Sequence, residues 1–127
     1  RTVPIAFKLK VTANPEDMRP ILQLIRDMQF DGVIAAEDGG KSAQRLSSKD
    51  SPQRQQLQQQ ICERIGYLKQ QLGGQVDLIS VGAIADVAEA HMRLQAGAAL
   101  VQVHNALVYR GPLLFRELKQ HCVHANS

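Results

Sequence analysis

The sequence predicts an α/β fold of four consecutive parallel βα units, and three observations carry that expectation. Strand-like and helix-like segments alternate four times along 127 residues, the pattern of a parallel sheet covered by helices. With 44% hydrophobic and 21% charged residues, the composition is that of one globular domain. Polar Lys8, Lys10, Gln102 and His104 fall on strand faces opposite the helix-packing residues. An open doubly wound sheet buries both faces under helices, which makes such groups awkward; in a barrel they line the mouth of a ligand site. Periodicity alone does not decide between the two.

Strands are predicted near 4–11, 31–37, 76–82 and 99–105. In the first, Ile5, Phe7, Leu9 and Val11 share one face while Ala6, Lys8 and Lys10 share the other. Asn14 then offers a helix cap, Pro15 suits the first helical position, and Glu16 and Asp17 lie near the positive end of the helix dipole. Met18, Ile21, Leu22, Ile25 and Met28 form the apolar stripe behind that cap, and Pro20 predicts an irregular first turn. After the second strand, residues 38–51 make the longest loop.

A long helix over 52–72 buries Leu57, Ile61, Ile65, Leu68 and Leu72, and Gly73 and Gly74 stop it. Its Gln-rich start, 53–60, reads as a solvated face. Asp86 caps a short helix that ends at Gly97. Gly111 and Pro112 open the last helix, which turns Leu114, Leu118 and Cys122 inward.

Composition also excludes some functions. No apolar run approaches the roughly 20 residues that cross a bilayer, and no signal peptide is visible. Cys62 and Cys122 form neither a disulfide framework nor a metal site; beside apolar helix faces they act as small hydrophobes, and such usage suits a reducing, cytoplasmic setting. His91, His121 and His124 show no metal-ligand spacing. A net charge of +3 permits a phosphate-bearing ligand without demanding one. Aromatic residues at 4% leave few stacking platforms, so nucleic acid is disfavoured. The chain opens at Arg1 and enters a strand within a few residues, which reads as a piece of a longer protein.

Four segments carry a family resemblance. They are PIAFKLK at the first strand, DGVIAA at the second, GGKSAQRL at 39–46, and GAIADVAEAHMRLQAGAALVQVHNALVYRGPLLFRELK at 82–119. Taken in order they cover nearly the whole chain, and the set resembles the C-terminal half of dihydroorotate dehydrogenases. The resemblance implies half of an FMN-binding (β/α)8 barrel, with 1–127 as its last four units and the first half absent. The implied family role is oxidation of dihydroorotate to orotate in pyrimidine synthesis. Its catalytic base belongs to the absent half, so no catalytic residue is assigned here and the chain alone is expected to be inactive.

The resemblance also assigns positions. Lys8 matches the lysine at the flavin ring, where a cation offsets negative charge on the cofactor; the plain alternative is a surface lysine. Gly39 and Gly40 match a flavin-side glycine pair, or are an ordinary turn. Gly82 and Ala83 stand where the family has two glycines, with His104 and Asn105 in place of a Tyr-Ser or Tyr-Thr pair. These four positions would hold the phosphate through backbone N–H groups, with the Ala83 methyl intruding on a close approach. Ala36, Glu37 and Asp38 replace a substrate-holding Thr-Asn-Thr. Two carboxylates there repel an anionic substrate, although such residues are more often merely solvated at a strand end. The competing readings are a non-catalytic half-barrel used for assembly or regulation, and another FMN barrel such as a tRNA dihydrouridine synthase. The expected partner is the missing N-terminal half-barrel or a second copy of the chain.

Overall fold

The computed structural model describes residues 3–11, 14–37, 52–103 and 111–125, the last five without their side chains. Strands β1 (Ala6–Lys10), β2 (Gly32–Ala36), β3 (Asp77–Val81) and β4 (Leu100–Gln102) form one sheet in chain order. Every pairing is parallel. Helices α1 (Pro15–Asp27), α2 (Pro52–Leu72), α3 (Val87–Ala96) and α4 (Leu113–Ala125) follow the strands one by one. Each helix packs against the next in that order. These are four consecutive parallel βα units, as in half of a (β/α)8 barrel.

Alternation along the strands sorts the two faces. Leu9, Val33, Ala35 and Leu78 are buried against α1 and α2. The intervening residues form rows across the sheet, Lys8–Ile34–Ile79–Leu100 and then Lys10–Ala36–Val81–Gln102. Those rows point to the opposite, open face, where Lys8, Lys10, Leu100 and Gln102 are exposed. Lys8 and Gln102 thus lie on the face expected for them; His104 lies outside the described residues.

The main core joins these strand residues to Met18, Leu22 and Ile25 of α1 and Ile61, Ile65, Leu68 and Leu72 of α2. Each such side chain contributes about 1.5–3 kcal/mol by leaving water. A second cluster sets Ile84 and Ala90 against Leu114 and Leu118 of α4, with Val101 and Val103 beside them. Asn14 caps α1, its Oδ1 accepting the Glu16 N–H at 3.2 Å.

Three details differ from the sequence reading. Pro20 does not disturb α1, which runs unbroken from Pro15 to Asp27. Pro20 and Glu16 are both exposed, so the carbonyl that Pro20 cannot serve meets water instead. Met28, expected in the apolar stripe, is exposed because the helix ends there. The Gln-rich start of α2 is not wholly solvated, since Arg54 and Gln58 are buried and Leu57 is only half-buried. Among the described residues, no helix is long and apolar enough to cross a membrane.

Candidate functional site

Beyond Val81, the chain turns through residues 82–86 into α3. Gly82 has φ +95°, and a Cβ there would lie 3.0 Å from the Glu37 carbonyl oxygen, so only glycine fits between the turn and the end of β2. The Glu37 N–H donates to the Val81 carbonyl at 2.9 Å, which carries the β2–β3 pairing one residue past the strands. Ala83 holds φ +56°, a left-handed conformation costly for a residue with a side chain. Its methyl is half-buried and packs against the main core.

Behind the turn lies a buried polar network that joins α2, α3 and β3. Arg93 is fully buried. Its Nη1 donates to Ser80 Oγ at 2.9 Å and to the Gly82 carbonyl at 3.1 Å. Its Nη2 donates to Gln58 Oε1 at 2.8 Å and to the Ala83 carbonyl at 3.3 Å. Gln58 Nε2 gives the Ala83 carbonyl its shortest bond, 2.6 Å, and Arg54 Nη2 adds a long one of 3.4 Å. Arg54 also grips Glu89 in two places, Nε to Oε2 at 2.8 Å and Nη2 to Oε1 at 2.7 Å. Glu89 Oε1 accepts the Ala85 N–H at 2.9 Å, and the Glu89 N–H is capped by Asp86 Oδ1 at 2.9 Å.

Electrostatics follow from this burial. Loss of water pulls the Arg93 guanidinium below its ordinary value, against the opposing pull of Cys62, Glu89 and Glu37. Burial likewise pushes the Cys62 thiol up, with Arg93 working against it.

The network also orients backbone. All the described peptide bonds are trans, so each carbonyl points opposite to the N–H of the next residue. With the Gly82 and Ala83 carbonyls held by Arg93 and Gln58, the N–H groups of Ala83 and Ile84 point away from that cluster. Two successive donors on the outer side of a turn are suited to an anion.

Of the residues expected at a site, Gly82 and Ala83 form this turn, and Glu37 touches it through its backbone. Glu37 is half-buried rather than simply solvated, because the turn covers it. Ala36 ends β2 on the open face, in register with Val81. Lys8 lies on the same face in β1, two strands from β3 and about 10 Å sideways of it at the usual strand spacing. Gly39, Gly40, Asp38, His104 and Asn105 lie outside the described residues. No group of three metal-ligating side chains occurs among the described residues. Sequence reasoning missed Arg54, Gln58, Glu89 and Arg93. One signal was present, since Arg54 and Gln58 continue the buried stripe of Ile61, Ile65, Leu68 and Leu72 toward the start of α2.

A sequence model of the family described as dihydroorotate dehydrogenase matches residues 2–125. The dihydroorotate dehydrogenase (quinone) of Pasteurella multocida is 32% identical over 123 residues, covering 93% of this chain and 36% of that protein. That of Paraburkholderia phymatum is 33% identical over 136 residues, covering 94% of the chain and 36% of its own length. The chain therefore spans little more than a third of these relatives. Among solved structures, the ligand-free dihydroorotate dehydrogenase of Eimeria tenella superposes with a TM-score of 0.71 at 24% identity, covering 91% of this chain and 33% of that one. This last likeness shows the shared fold.

Proposed function

This chain belongs to the dihydroorotate dehydrogenase family, and from that premise we propose that it is the flavin-holding part of such a barrel, inactive by itself. The FMN phosphate would sit on the turn at residues 82–86, against the N–H groups of Ala83 and Ile84. The observation that carries this reading is the capture of the Gly82 and Ala83 carbonyls from behind, which turns those donors outward. Lys8, exposed on the open face, would bring a cation to the ring system. Gly39, Gly40, His104 and Asn105 complete the proposed site on the strength of family resemblance. When bound, FMN supplies the two-electron chemistry of the family's reaction.

The substrate side supports inactivity. Ala36 offers no hydrogen-bonding side chain, and a carboxylate at Glu37 repels a carboxylate substrate. The family match sets aside a tRNA dihydrouridine synthase. A cytoplasmic setting belongs to the same proposal, because Cys62 is a free thiol among the described residues. Titrating FMN with the purified chain should give a saturable change in flavin fluorescence, while dihydroorotate-driven dye reduction stays at background. Unchanged emission would overturn the flavin reading, and turnover well above background would overturn inactivity.

A further inference from the structure

We propose that Arg93, braced by Gln58 and Ser80, is a positioning residue for phosphate recognition: it fixes and polarises the two peptide units whose N–H groups face the anion. This rests on the flavin reading above. Two consecutive carbonyls, Gly82 and Ala83, take donors from one guanidinium at 3.1 and 3.3 Å. That guanidinium cannot drift, because Ser80 Oγ at 2.9 Å and Gln58 Oε1 at 2.8 Å hold its two arms. A cationic donor on a carbonyl draws charge through the peptide unit and makes the N–H at its other end a stronger donor.

The cations of Arg54 and Arg93 are offset by the carboxylates of Glu89 and Glu37, so the effect on the turn is local to the two carbonyls that the Arg93 guanidinium touches. The Arg54–Glu89 pair already joins α2 to α3, whereas Arg93 and Gln58 converge on carbonyls of the turn. Ala83 also keeps φ +56° without being glycine, and such a conformation persists only where its surroundings over-determine it.

The test compares FMN with riboflavin, which lacks the phosphate, by fluorescence titration of the full chain. Two variants are compared with wild type. Arg93→Lys keeps a charge but loses the fork that spans two carbonyls. Gln58→Glu is isosteric, keeps an oxygen for the Arg93 fork, and replaces the Nε2 donor with an acceptor that repels the Ala83 carbonyl. Each variant should lower the preference for FMN over riboflavin by about tenfold, the order expected for one charge-assisted hydrogen bond, while riboflavin affinity moves far less. If Arg93→Lys fails to fold, Gln58→Glu decides alone. An unchanged preference, or equal loss for both flavins, overturns the positioning role and leaves the flavin reading standing. A wild-type chain that binds neither flavin overturns both.

Discussion

Ala83 and Gln29 are the described residues other than glycine that hold a left-handed backbone, at φ +56° and +55°. Gln29 follows the last turn of α1, its N–H bonding the Arg26 carbonyl at 3.2 Å and that of Phe30 bonding the Ile25 carbonyl at 3.3 Å. This is a Schellman ending, whose left-handed position usually falls to glycine. Phe30 then packs on Phe7 with ring centroids 5.8 Å apart, which fixes the chain's exit from the helix. Gln29→Gly should therefore raise stability by about 1 kcal/mol, since the exposed side chain loses no packing. Ala83→Gly should gain less, because its half-buried methyl gives up roughly half of the 0.8 kcal/mol of a buried carbon. Urea midpoints for both variants decide the matter, and a fall in either would contradict the strain assigned to that residue. The caps Asn14 and Asp86 were legible because their side chains advertise the role. Gln29 was not, because a left-handed glutamine is set by the Phe30 contact rather than by its own preference.

Among elements, the junction of α2 with α3 depends on charge as well as on apolar packing. Arg54 lies in the first turn of α2, where a cation opposes the helix dipole, while Glu89 lies in the first turn of α3, where an anion is favoured. Their buried pair, 2.7 Å apart, offsets the poor placement of Arg54. Removing either partner strands the other charge out of water. Arg54→Met and Glu89→Gln should each cost about 3 kcal/mol or more. The double variant should cost less than the two singles together by at least roughly 1 kcal/mol. Equilibrium unfolding of the four proteins completes the cycle, and strict additivity would mean that the pair does not act as a unit. The apolar stripes of α1 and α2 could be read from spacing alone, because water exclusion imposes it. The network could not: its members come from α2, α3, β3 and the turn, up to 35 positions apart, and hydropathy assigns each of them to solvent.

For the whole molecule, the number and order of the strands were legible from periodicity, and the choice of barrel over open sheet came from the polar strand faces and the family resemblance. It is settled by the helices packing in succession against a single sheet face, an arrangement no local pattern encodes. Among the described residues, β1 and β4 each have one strand neighbour, where a closed barrel gives every strand two. The open edges carry backbone donors and acceptors that can pair with another chain. Apolar surface lies beside the β4 edge, with Leu100 60% exposed on the open face and Leu113 and Phe115 68% and 53% exposed on α4. A groove of about 780 Å³ between β4, α3 and α4 has both apolar and polar lining, with Leu94, Leu100 and Phe115 beside His91, Gln95 and Lys119. Association costs roughly 4–15 kcal/mol before side-chain ordering and polar desolvation are added, and stable contacts therefore bury on the order of 1,000 Å² in all. The two sheet edges and this apolar surface lie where such a contact would form. The purified chain should therefore self-associate, two copies placing β4 of one beside β1 of the other about a twofold axis. Sedimentation at micromolar concentration should show a dimer or larger species. Leu100→Lys, which puts a charge on the open face without touching the core, should shift it toward monomer. A well-folded wild-type monomer throughout that range would refute the pairing.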